Sequence, residues 1–77
     1  MLERVSIIQG MTPSEKLNKL YSMEINVRIE SFWDSGWTVF LGDEMNGFVF
    51  KRGEIPTFNE AVDALWDEAV KRGYCHA

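Results

Sequence analysis

The sequence predicts an α+β fold. A three-stranded antiparallel meander is covered by a C-terminal amphipathic helix, and a short N-terminal helix completes an α-β-β-β-α order. Three observations predict it. Residues 24–30 alternate cleanly, with Ile25, Val27 and Ile29 on one side and Asn26, Arg28 and Glu30 on the other, as a half-buried strand requires. Two glycine-bearing turns, Asp34-Ser35-Gly36 and residues 42–47, divide that run from two further β-rich runs. Then Phe58, Ala61, Val62, Leu65, Trp66, Ala69 and Val70 recur at i, i+3, i+4, i+7, i+8, i+11 and i+12, which places them on one stripe of a helix.

Taken in order, residues 1–11 read as an arm or, through Val5, Ile7 and Ile8, as a short edge strand. Thr12-Pro13-Ser14-Glu15 is a helix start, with Thr12 as N-cap, Pro13 where proline is tolerated, and Glu15 three residues after the cap. Leu17, Leu20 and Tyr21 then fall on one face of a helix of about ten residues, marginal without packing partners. The first strand follows over residues 24–30. Asp34-Ser35-Gly36 supplies a turn in which Gly36 can take a positive φ. Residues 37–41 form the second strand, with Trp37, Val39 and Leu41 on one face, and residues 48–51 form the third. Thr57 and Glu60 offer a second capping box, Lys71 and Arg72 complement the helix dipole, and Gly73 stops the helix. A helix of about 16 residues is about 24 Å long, close to the ~23 Å of a seven-residue strand. One helix can therefore cover one whole sheet face.

Seventy-seven residues make a single domain, with a core that must be dense because a chain this short buries only about 60–65% of its unfolded surface. Forty-five per cent hydrophobic residues supply that core, including five Phe, three Trp and two Tyr. The lone cysteine, Cys75, has no second cysteine to pair with, and it suits a reducing cytoplasm. The first residues lack the apolar run of a signal peptide, and nothing approaches the ~18 apolar residues of a membrane span. A net charge of −4 disfavours non-specific binding to nucleic acid and permits docking on a basic protein surface.

Catalytic and metal chemistry find little support. Cys75 and His76 are adjacent at the C-terminus, where no rigid frame brings a base onto a nucleophile. One His and one Cys cannot complete a tetrahedral zinc site. Asp34, Asp43, Glu44 and Glu54 sit in turns that could converge at one end of the sheet, but turns favour such residues for backbone reasons. No phosphate loop, Ser–His–Asp set or Cys-x-x-Cys is present. The expectation is a protein without catalytic residues, cofactor or metal.

Two surface features point to a partner. Glu60, Asp63 and Asp67 follow one stripe opposite the apolar face of the last helix. That stripe is either a solvated face, with i,i+4 pairs Asp67–Lys71 and Glu68–Arg72, or a negative strip for a basic groove. The chain also has more aromatic residues than one helix–sheet layer needs. Phe40 points away from the Trp37 face, and of consecutive Phe32 and Trp33 one must face outward. Either the N-terminal helix covers this second sheet face, or a partner does. Phe32, Trp33 and Phe40, with turn residues Asp43 and Glu44, are therefore candidate partner contacts beside the acidic strip. A homodimer through that face satisfies both readings.

The stretch from residue 25 to 70 resembles the HicB-like antitoxin domain, a truncated RNase-H-like fold. The likeness lies in the strand at 25–29, the turn Asp34-Ser35-Gly36-Trp37, the strand at 39–41, the irregular segment from Asp43 to Gly47, and the helix start Thr57-Phe58-Asn59-Glu60-Ala61. The linker from Gly47 to Thr57 is slightly long for that family, and no DNA-binding segment follows. The resemblance implies a module that binds and neutralises a protein partner without the operator-binding half. Element order is also similar to that of a double-stranded-RNA-binding domain, but Glu60 and Asp63 stand where that family places phosphate-binding bases. The expected function is a cytoplasmic, acidic, non-enzymatic protein-binding inhibitor, antitoxin-like or like the anti-CRISPR proteins of phage. The competing class is a structural or assembly homo-oligomer of phage or bacterial origin.

Overall fold

The computed structural model describes residues 11–74. The arm or edge strand expected in residues 1–10, and the Cys75-His76 pair, lie outside the described residues. The element order is α1 (Pro13–Ser22), β1 (Val27–Phe32), β2 (Gly36–Gly42), β3 (Phe48–Ile55) and α2 (Phe58–Lys71). The sheet has the order β1-β2-β3 with both pairs antiparallel, the expected meander.

Helix ends follow the local chemistry. Thr12 accepts from the Glu15 backbone N–H at 3.1 Å while Glu15 accepts from the Thr12 N–H at 2.7 Å, so the first capping box closes. At α2 the Thr57 hydroxyl accepts from the Glu60 N–H at 3.1 Å, which is the N-cap half of the second box. Both helices end in Schellman motifs. Gly73, at φ +79, donates to the Val70 carbonyl, and Tyr74 donates to Ala69. At the end of α1 the same two bonds run from Glu24 to Tyr21 and from Ile25 to Leu20, with Glu24 itself at φ 60.

The core lies between the helices and one sheet face. Val39, Leu41, Ile55, Ala61, Leu65, Trp66, Ala69 and Leu20 form it, with Ile25, Val27, Ile29, Trp37 and Phe50 packed at its margin. The stripe expected on α2 is thus the one that is buried; Phe58, at its rim, meets Trp37 edge-on with ring centroids 5.3 Å apart. Leu20 belongs to the same core, so α1 lies beside α2 and does not cover the second sheet face. Tyr21 is 83% exposed, because the inward side of α1 centres on buried Leu20, with Leu17 and the C-cap Met23 half-buried beside it, about 100° around the helix from Tyr21.

Strand β3 is twice as long as expected, eight residues where the sequence suggested four. The apparently long linker after Gly47 is strand, interrupted by two register shifts against β2. Leu41 faces Phe50 while Gly42 faces Phe48, so Val49 is an extra residue. A bulge of this kind reverses the alternation. Phe50 packs towards the core while Phe48 lies against Phe40 on the opposite face, ring centroids 4.8 Å apart. The second shift lies between Val39–Arg52 and Trp37–Ile55, where Glu54 adopts φ 57. Strict alternation would put Glu54 opposite Trp37; the bulge puts buried Ile55 there instead.

Candidate functional site

The acidic strip of α2 forms one wall of a groove. Glu60, Asp63 and Asp67 line it with Arg52, Ile55, Pro56 and Ala64, around a cavity of about 270 Å³. Helical spacing places the three carboxylates in a row, and the β3 bulge brings the end of that strand up against them. Asp63 is not a free anion: Lys16 of α1 donates to it at 2.7 Å, while the Asp63 side chain remains 51% exposed. Glu60 and Asp67 have no ion pair among the described residues. The expected Glu68–Arg72 pair is present at 2.7 Å, and Arg72 also donates to the Val49 carbonyl at 2.8 Å, tying α2 to the first bulge. Asp67 and Lys71, the other expected pair, are not among the ion pairs of the described residues. Lys16 was not among the residues singled out from the sequence. It lies 47 positions from Asp63, and only tertiary packing brings the two together.

The remaining candidates divide between the ends and the outer face of the sheet. Phe32 pairs with Gly36, and Ser35 donates to the Phe32 carbonyl, closing a three-residue hairpin loop over Trp33, Asp34 and Ser35. Trp33 sits at the turn position that points to solvent and is 98% exposed, beside Phe32 at 55%. Phe40 faces outward as expected, yet it is buried. Phe48, the Arg28 guanidinium and the Lys51 ammonium cover its ring, the two cations lying 5.4 and 5.5 Å from its centroid. Its surface is thus used within the chain. Arg28 in turn pairs with Glu44 and lies 3.7 Å from Glu30.

Asp43 holds the β2–β3 turn. Its carboxylate accepts from the Asn46 backbone N–H at 2.9 Å and from the Asn46 and Asn26 side-chain amides. These bonds favour the ionised form, the Asn46 backbone bond most of all, and hold the Asp43 carboxyl below its ordinary value. Asp43 and Glu44 therefore act as turn and strand fasteners. They stand at one end of the sheet, while Asp34 and Glu54 stand at the other, since Asp34 is in the β1–β2 loop and Glu54 adjoins the Ile55–Trp37 pair. The four acids do not converge. Antiparallel strands alternate their turns between opposite ends, which separates them by the length of a strand.

Among the described residues no group of three or more His, Cys, Asp and Glu side chains is placed to hold a metal ion. No helix among them is long and apolar enough to cross a membrane. No family model, curated protein or solved structure matches the chain.

Proposed function

We propose that the chain is an acidic, non-enzymatic protein-binding module that works by occupying a basic surface of a macromolecular partner. The observation that carries this reading is the groove between α2 and β3, whose α2 wall presents Glu60 and Asp67 to solvent with Asp63 between them. A rigid helix buried along its other face holds that row in fixed geometry, so little ordering entropy opposes docking. Charge complementarity steers such an encounter and selects the partner. Occupying a nucleic-acid or substrate surface in this way inhibits or neutralises its owner, the mode implied by the resemblance to HicB-like antitoxins and the one used by anti-CRISPR-type phage inhibitors. The isolated thiol and acidic charge suit a cytoplasmic setting.

The test reverses the two carboxylates that have no ion pair among the described residues and leaves the Lys16–Asp63 bond alone. In the native host, a tagged chain carrying Glu60→Lys and Asp67→Lys is expected to lose its co-purifying partner by tenfold or more at unchanged far-ultraviolet circular dichroism. Reversing Asp63 as well would place a cation against Lys16 and confuse binding with folding. Recovery of the same partner in equal yield by wild type and the double variant sinks the electrostatic reading.

A further inference from the structure

We propose that β1 is a pairing edge for a second copy of this chain, forming a two-fold dimer about Ile29. The two edges of the sheet differ. Strand β3 is bulged twice and carries Lys51, Arg52 and Glu54, devices that resist pairing with another strand. Strand β1 pairs with β2 without a register shift from Val27 to Phe32 and has neither Pro nor Gly.

The register follows from hydrogen-bond parity and charge. Gly42 donates to the Asn26 carbonyl at 2.8 Å, so Asn26 points its backbone groups inward to β2. By antiparallel alternation Arg28, Glu30 and Phe32 also bond inward, and Val27, Ile29 and Ser31 direct theirs to the outer edge, which no strand among the described residues covers. A two-fold axis at Ile29 sets Ile29 opposite Ile29 of the second copy and Val27 opposite Ser31. All the outward groups of these three residues are then paired. The same register places Arg28 directly opposite Glu30 of the second copy, twice per dimer, at the close non-hydrogen-bonded positions. Moving the axis by one residue either way sets Arg28 against Arg28 or Glu30 against Glu30. Of these three axes only the one at Ile29 brings opposite charges together.

A second observation meets the first. In this register Trp33 lies opposite Ile25 of the second copy. Trp33 is 98% exposed, and Ile25 lines a cavity of about 480 Å³ together with Tyr21, Ser22, Glu24 and Asn26. The exposed indole of each copy is thus delivered to an open groove walled by Tyr21 and Ile25 of the other. The result is a continuous six-stranded sheet with both α2 helices on one face, leaving the acidic grooves at its far edges free.

Sedimentation velocity over a concentration series tests this. The wild-type chain is expected to sediment as a dimer that dissociates on dilution. Glu30→Arg, which leaves the contacts of Arg28 to Glu44 and Phe40 of its own chain in place, is expected to weaken the dimer at least tenfold by setting a cation against Arg28 of the second copy, whereas Glu30→Gln is expected to weaken it by no more than about threefold. Ser31→Pro removes an outward N–H without touching the β1–β2 ladder and is expected to give a folded monomer by circular dichroism. A wild-type chain that stays monomeric up to about 1 mM overturns the proposal. So does a dimer indifferent to Glu30→Arg and to Ser31→Pro, or one that Glu30→Gln weakens as much as Glu30→Arg. None of these outcomes bears on the acidic groove, whose test reads a foreign partner.

Discussion

Leu65→Ala is expected to lower the unfolding free energy by about 3–4 kcal/mol, the range for a leucine truncated in a core that cannot collapse around the void. Leu65 is fully buried in the centre of α2, against a sheet whose facing residues Val39 and Leu41 are also fully buried. A domain of this length has a total stability of about 4–12 kcal/mol, so the variant is expected to lose about a quarter of it or more and to unfold at a clearly lower urea concentration. Met45→Ala, at a side chain 95% exposed in the β2–β3 turn, is the matched control and should move the midpoint very little. Equal midpoints for the two variants would mean that α2 does not rest on the sheet.

Gly36→Ala carries the second large effect, expected at about 2–4 kcal/mol, from the left-handed penalty and a backbone collision together. Gly36 has φ +89 and closes the loop that presents Trp33. A Cβ built there stands 2.6 Å from the Ile55 carbonyl oxygen, an atom fixed by the pairing of Ile55 with Trp37. The neighbour cannot yield without parting β2 from β3. Gly47 also has a positive φ, +75, but a Cβ there meets nothing within 4 Å, so Gly47→Ala is expected to cost about 1 kcal/mol. Urea unfolding of both variants separates conformational strain from contact. Equal costs would place the whole effect in φ and remove the collision.

Much of the architecture was legible in the residues, for a local reason. The α2 stripe, the Thr12–Glu15 box, the stop at Gly73 and the turn at Gly36 all depend on side chains within a few positions of one another, and each is found where the sequence placed it. The candidate site was legible in part. Glu60, Asp63 and Asp67 do line one groove, and Trp33 is as exposed as adjacent aromatics in a turn require. The groove's other wall, the Lys16–Asp63 bond and the burial of Phe40 beneath Arg28, Lys51 and Phe48 could not be read, since each joins residues far apart in the chain.

Position along the chain determined which residues turn, which begin or end a helix, and which row of side chains becomes a core, because backbone preference and periodicity act at short range. The packed structure alone decided that α1 lies beside α2, that β3 runs on to Ile55, and that Phe48 and Phe50 face opposite ways. The reason is the pair of bulges. Gly53 inside β3 is a local hint of the bulge beside it, but the left-handed turn falls on Glu54 and no local motif announces Val49, so the residues that bulge are set by the fit of β3 to β2 and to the helix above it, an energy that exists only once the strands have met.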